Sequence, residues 1–248
     1  MGQKRGPAEL KILHYDSLES TNTTARRLAE KGAPEWTVVV SEVQTKGRGR
    51  NGRNWISPRG GLWFSILLRP VGTVEYLRIL QLLVGSIVCE VIEDYQIPAR
   101  TKWPNDIVVE SGKLAGILIE TKVTPLQVVY AIIGLGVNVN IDEALLPEEA
   151  TSISTLLGRS IDRDILLQNI LEQLNEEYDQ QCENDKIVAD WWDKCIHRNR
   201  LVQVDIEGKT IQGVNTGLSN LGQLILKTKQ ADLIVLDEGT LRINPSQL

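Results

Sequence analysis

Residues 107–139 read IVVESGKLAGILIETKVTPLQVVYAIIGLGVNV, and the pairing of this stretch decides the fold. Three runs dominated by β-branched and aliphatic residues, Ile107–Glu110, Leu114–Val123 and Leu126–Val139, are separated by Ser111-Gly112 and Thr124-Pro125. Runs of this kind bounded by turn residues read as strands. Links this short leave no room for a crossover helix, so successive strands pair antiparallel. Towards the N-terminus, Leu62–Leu68, the β-branched run Trp36–Val43 and the short Lys11–Tyr15 add further strands. Ser20-Thr21-Asn22 supplies N-cap chemistry for a helix in which Ala25, Leu28 and Ala29 recur at helical spacing up to Gly32. Thr73 can cap a long helix whose buried face is Leu77, Leu80, Val84, Ile87, Val88 and Val91. Towards the C-terminus, helices are expected over Asp164–Cys182 and Lys186–His197.

After Arg198 the composition changes. Leu201–Ile206, Thr210–Leu218, Gln223–Leu226, Leu233–Leu236 and Leu241–Ile243 are short strands divided by Gly- or charge-bearing turns. This pattern predicts a small C-terminal β-barrel. The architecture expected is therefore α+β, with a body over 1–197 built on a mixed or antiparallel sheet, followed by the barrel over 198–248.

Composition narrows the chemistry. The chain has 248 residues and a formal net charge of −5, with 42% hydrophobic and 24% charged residues. That is the make-up of a soluble globular protein, and it excludes collagen-like, disordered and membrane classes. The run Leu82–Ile92 is interrupted by Glu90 and falls well short of the roughly 20 residues that span a bilayer. The N-terminal residues carry no apolar stretch behind their charges, so no signal peptide is expected. Three cysteines, Cys89, Cys182 and Cys195, form no CxxC pair, which points to a reducing cytoplasm. The two histidines, His14 and His197, sit in no hydrolase signature, which disfavours Ser-His or Cys-His relays and His-rich zinc sites. No protein metal site is expected. An acidic chain is a poor general nucleic-acid binder, so a local basic cluster stands out.

Such a cluster lies in the Gly-rich loop Gln44–Gly61, where Lys46, Arg48, Arg50, Arg53 and Arg59 occur with no acid among them. Glycines let backbone N–H groups approach a ligand, and Arg offers a planar fork for carboxylate or phosphate oxygens. A solvated basic loop or an RGG-like RNA-touching segment would read the same way. The GxxxxGK[ST] phosphate loop is absent. Three more segments carry polar groups at strand boundaries. In Thr101–Asp106, Pro104 fixes the backbone ahead of Asn105 and Asp106. In Gly112–Glu120, Lys113 opens a strand of core character, close enough to Asp106 for an internal pair or a phosphate contact. In Gly134–Asn140, small residues precede Asn138 and leave room for another backbone or a flat ligand. Each also has a plain structural reading as a turn, a solvated charge or a core strand ending at a polar edge.

Taken in order, Ser20-Thr21-Asn22, the Gln44 strand end, Gly47–Trp55, Lys102–Asp106, Lys113–Glu120 and Gly134–Asn138 resemble the biotin–protein ligase family. The likeness runs from about Lys11 into the C-terminal β segment around Gly213–Gly222. The resemblance implies a catalytic body related to class II aminoacyl-tRNA synthetases. It also implies a two-step reaction, in which biotin and MgATP give biotinyl-5′-adenylate and the adenylate then acylates one lysine of a biotin carboxyl carrier domain, such as that of acetyl-CoA carboxylase. Carried over by position, Ser20, Thr21 and Gln44 would bond the ureido ring, with Asn22 and Gly116 in the same biotin set. Arg48, Gly49 and Arg50 would hold the carboxylate and cover the adenylate, and Lys113 would bridge carboxylate and α-phosphate. Arg50, Arg53, Trp55, Asn105, Lys113 and Asn138 would meet the nucleotide, and Asp106 is the candidate to handle the acceptor amine. Lys113, Arg48 and Asp106 form the expected catalytic set. Only about ten residues precede the first strand, so the operator-binding domain of some members, and with it DNA binding, is not expected. The family also allows a homodimer through a sheet edge. Rival readings are a lipoate–protein ligase, a biotin sensor without turnover and an Arg-Gly RNA-binding module.

Overall fold

The computed structural model describes residues 10–70, 75–110, 112–125, 127–179 and 184–243. Thr73, Ser111, Leu126 and Cys182, which figured in the expectations above, lie outside that set.

A seven-stranded mixed sheet forms the body. Its strands are β1 (Lys11–Leu18), β2 (Thr37–Gln44), β3 (Leu62–Leu68), β4 (Arg100–Lys102), β5 (Asp106–Val109), β6 (Gly112–Val123) and β7 (Val128–Val137). Their order is β1-β2-β3-β7-β6-β5-β4. Among the described residues the one parallel strand ladder is that of β1 and β2, which are joined by helix α1 (Thr21–Glu30). The β5–β6–β7 meander is antiparallel, as the short links at 107–139 require. β4, three residues long, escapes a periodicity reading.

Side-chain alternation sorts the sheet into two faces. Val38, Val40, Phe64, Ile66, Leu68, Ile133, Leu135 and Val137 belong to the larger core, beneath helix α2 (Tyr76–Glu93). Val39, Leu67 and Ile132 pack with Ala25 and Ala29 of α1. β3 is buried along its whole length because both faces are covered. Helix α2 is buried on more than its expected stripe, with Ile79, Leu82, Leu83 and Ile92 also enclosed. The reason is that helices α4 (Arg163–Asp179) and α5 (Asn184–Asp193) cover the side turned away from the sheet. A one-turn helix α3 (Ile153–Leu157), capped by the Ser152 side chain, follows β7 and was not anticipated.

The chain ends in a separate five-stranded antiparallel sheet, β8 (Leu201–Ile206), β9 (Lys209–Leu218), β10 (Leu224–Lys227), β11 (Leu233–Leu236) and β12 (Thr240–Ile243). Its order is β11-β10-β9-β8-β12, and among the described residues no ladder joins the two end strands. It is tied to the body by Trp103 Nε1 donating to Gly222 O at 3.4 Å and by Arg78 donating to Leu221 O and Asp237.

On the α1 side of the sheet, beside Trp63, lies a patch of small residues. Ser65 pairs with Gly134, and Gly136 pairs with both Trp63 and Gly116. No larger side chain fits here: a Cβ on Gly136 would meet the Trp55 ring at 2.4 Å, and one on Gly134 would meet Asn22 Oδ1 at 2.1 Å.

Candidate active site

Over that small-residue floor opens a cavity of about 800 Å³. Every site residue singled out in the sequence lines it: Ser20, Thr21, Asn22, Gln44, Arg48, Gly49, Arg50, Arg53, Trp55, Asn105, Asp106, Lys113, Gly116 and Asn138. They come from the start of α1, β2, the 45–61 loop, the β4–β5 turn, β5, β6 and the residue after β7, distant in sequence and brought together by the sheet order.

One end of the cavity is a chain of uncharged hydrogen-bonding groups. Gln44 Oε1 accepts from Thr21 N at 2.8 Å and from Thr21 Oγ1 at 3.1 Å, while Gln44 Nε2 donates to Ser57 Oγ at 2.9 Å. Ser65 Oγ lies 2.7 Å from Thr21 Oγ1 and 2.6 Å from Asn22 Oδ1. Asn22 Oδ1 can only accept, so the Ser65 proton points to it, and the single Thr21 hydroxyl proton is shared between Ser65 Oγ and Gln44 Oε1, whose shorter bond is from Thr21 N. Ser20 occupies the N-cap position of α1 but makes no side-chain capping bond. Its hydroxyl is thus not spent on the helix end, contrary to the plain capping role. Ser57 and Ser65 were missed in the sequence. The signal for Ser65 was a lone hydroxyl inside LWFSILL.

The Gly-rich segment is a structured hairpin rather than the featureless loop expected. Arg48 and Asn54 form an antiparallel bridge, Trp55 N donates to Gly47 O at 2.9 Å, and Gly49 N donates to Arg53 O at 2.7 Å. The tip, Arg50–Gly52, is a 3₁₀ turn in which Asn51 and Gly52 both take positive φ. Close approach explains Gly47, since a Cβ there would sit 2.3 Å from Trp55 O. The Arg48 guanidinium is engaged by Glu120 at 2.6 Å. Arg50 Nη1 reaches Asn105 Oδ1 at 3.4 Å, and Arg53 Nη2 reaches Thr240 Oγ1 of the C-terminal sheet at 3.3 Å. Burial lowers the Arg50 pKa, opposed by the charges of Glu238 and Asp106.

In the middle of the cavity, Lys113 Nζ lies 2.7 Å from Asp106 Oδ1 and 4.9 Å from the Trp55 ring centroid. The internal pair considered from sequence is therefore formed. Lys113 is held through its backbone: its N donates to Glu149 O, and its O accepts from Thr151 N and from Asn138 Nδ2. Asn138 Nδ2 also donates to Thr151 O, so its carboxamide nitrogen is committed to backbone. Asn105 Nδ2 donates to Ile117 O at 2.8 Å. The Trp55 ring lies on the glycine floor, where a Cβ on Gly136 would meet Nε1 at 2.4 Å and one on Gly116 would meet Cζ3 at 3.0 Å. Its Nε1 is buried without a partner. The far end is closed by Gly239–Arg242 and by His197, which is 1% exposed. Burial, with Lys102 and Arg200 adding to it, pushes the His197 pKa down to about 3. Among the described residues no cluster of His, Cys, Asp and Glu is arranged to hold a metal ion.

The cavity thus has a neutral hydrogen-bonding end and a cationic end, with Lys113 between them. Residues 15–138 match the model of the biotin/lipoate A/B protein ligase family, and the chain belongs to that family. It is 40% identical over 173 residues to the bifunctional ligase/repressor BirA of Bacillus subtilis, an alignment covering 67% of this chain and 53% of that protein. The chain thus spans about half the length of that relative. It is 29% identical over 225 residues to the biotin–[acetyl-CoA-carboxylase] ligase of Mycobacterium tuberculosis, covering 87% and 83%. The biotin protein ligase of Aquifex aeolicus in complex with biotin and ATP superposes with a TM-score of 0.80 at 31% identity, over 94% of this chain and 99% of that one.

Proposed function

We propose that the chain is a biotin–protein ligase: it activates biotin with MgATP to biotinyl-5′-adenylate and transfers the biotinyl group to a lysine of a biotin carboxyl carrier domain, that of an acetyl-CoA carboxylase first among them. The observation that carries this reading is the two-ended cavity with Lys113 at its centre. A ureido ring offers two N–H donors and one carbonyl acceptor and no charge, which suits the Ser20, Thr21 and Gln44 end. The nucleotide is anionic and suits the end bearing Arg50, Arg53 and Lys113.

In the first step a biotin carboxylate oxygen attacks the α-phosphorus, and the bond to pyrophosphate breaks. Two anions must be brought together, and the carboxylate is already ionised at neutral pH. The protein's task is therefore charge compensation and alignment rather than proton removal. Lys113 supplies the charge at the junction. Magnesium arrives as part of the substrate and neutralises phosphate charge. The Trp55 ring and the hairpin over it keep water from the mixed anhydride. In the second step an amine attacks the acyl carbon, AMP leaves, and the amine sheds a proton. Asp106, beside Lys113, is placed to orient that amine. For Asp106→Asn, transfer from preformed adenylate is expected to slow by about 10²-fold, read by single-turnover mixing with an acceptor domain. Transfer at the wild-type rate would remove Asp106 from this step.

The two sheets support a division at about residue 198, with catalysis in the body and a smaller unit closing the nucleotide end. Buried, unpaired Cys89 and Cys195 support a reducing, cytoplasmic setting. β1, an edge of the larger sheet, is the strand through which a second copy would add. The deciding experiment is incubation with biotin, MgATP and an acceptor domain followed by intact mass. One biotinyl adduct per acceptor is expected. An adduct with lipoate and none with biotin would reassign the substrate within the family.

A further inference from the structure

Glu120 is not part of any site set named above, yet it stands where the cavity's polar chain meets the hairpin. Its Oε2 accepts from Arg48 Nη2 at 2.6 Å and from Asn22 Nδ2 at 2.7 Å. The Arg48 and Glu120 side chains are only 36% and 28% exposed. From Asn22 the chain continues through Ser65, Thr21 and Gln44 to Ser57, on the returning limb of the hairpin. Both limbs are thus fastened to one hydrogen-bonded line that begins at Glu120. Its packing is tight: a Cβ on Gly134 would lie 2.1 Å from Asn22 Oδ1.

We propose that Glu120 is a positioning residue that pins the first limb of the hairpin through Arg48 and sets the Asn22 carboxamide, so that the neutral end of the cavity is organised before any ligand arrives. The charge balance supports this. Arg48 and Glu120 compensate each other, which leaves that end without net charge, as an uncharged ring requires. Only Nη2 of Arg48 is engaged in this way; its Nε is buried without a partner and stays free to donate. The ligand named here rests on the reading of the cavity as a biotin site; the anchoring does not.

Two measurements on the full chain separate these claims. In the ligand-free protein, Glu120→Gln is expected to speed tryptic cleavage at Arg50 and Arg53 by about tenfold, the scale of one lost charge-assisted contact. In steady-state adenylation the same variant should raise the KM for biotin about tenfold while leaving the KM for ATP and the melting temperature near wild type, a split that general loosening would not produce. Arg48→Met should lose no more than Glu120→Met, and the Arg48→Met/Glu120→Met double variant no more than Glu120→Met alone, because the Arg48–Glu120 contact is already gone in that single variant. Should Glu120→Gln not fold, Arg48→Gln on the more exposed partner removes the same ion pair and gives the same readouts. Wild-type cleavage and KM values in Glu120→Gln, parallel rises in both KM values, or multiplying effects in the double variant would overturn the proposal. If wild type makes no adenylate from biotin while Glu120→Gln is still cleaved faster, the substrate reading fails and the anchor stands.

Discussion

Lys113→Ala should slow formation of biotinyl adenylate on the order of 10³-fold, the loss expected when a preorganised charge at the reacting centre is removed. Two effects combine. The ammonium that lies 2.7 Å from Asp106 Oδ1 is lost, and Asp106 is left as an uncompensated anion facing two further anions. If biotin binds as proposed, its KM should move far less, because the neutral end of the cavity is built from Thr21, Gln44 and Ser65, none of which touches Lys113. Pyrophosphate exchange with saturating biotin reads the first quantity directly. Lys113→Arg keeps the charge but not the point geometry and should fall between. Exchange within tenfold of wild type in Lys113→Ala would take the lysine out of the chemistry.

The second large effect concerns acid. His197 is buried between the body and the C-terminal sheet, with both ring nitrogens unpartnered and its pKa pushed down to about 3 by burial first and by Lys102 and Arg200 next. The unfolded chain takes up a proton as pH drops below about 6.5, whereas the folded chain does not until near pH 3. Stability from this group is thus complete above about pH 6.5 and is lost progressively as pH falls towards 3, by several kcal/mol, on the order of 4. His197→Leu removes the titration without stranding a polar atom. At pH 8 its urea midpoint should equal or exceed wild type, and by pH 4 it should be clearly the more stable protein. Parallel curves for the two proteins between pH 8 and 4 would show that His197 does not titrate in this way.

Sequence patterns reached the body of the fold because periodicity survives wherever one face is covered by one layer. Val38, Val39 and Val40 alternate between two cores, and the link lengths at 107–139 leave one pairing. The patterns were silent where tertiary covering overrode them. α2 is enclosed on sides its stripe did not predict, because α4 and α5 lie against it. β4 is three residues long and exists through its pairing with β5 and a bridge to Cys195. Site residues were legible as motifs with unusual polarity, such as Lys113 opening an apolar strand. Ser65 and Glu120 were not, because a serine or glutamate in a strand gains meaning only from what faces it across the sheet. The hairpin at 45–61 was hidden for another reason: its order comes from Gly47 accepting close backbone contact and from Gln44 and Ser57 meeting 13 residues apart, neither of which composition records.

The glycine floor beneath Trp55 has a consequence for engineering. Gly136 is the position at which one methyl would act on the Trp55 ring alone, since a Cβ on Gly116 would also reach Lys113 Cε at 3.5 Å and one on Gly134 would strike Asn22 Oδ1. Alanine at Gly136 would raise the floor under the indole and shut the binding space while the core behind the sheet stays intact, giving an inert, folded decoy. Trimming Trp55 instead would hollow out the space above the floor, which on the proposed reading of the site makes room for an enlarged nucleotide base. The same few ångströms thus offer both a dead variant and a lock cut for an artificial key.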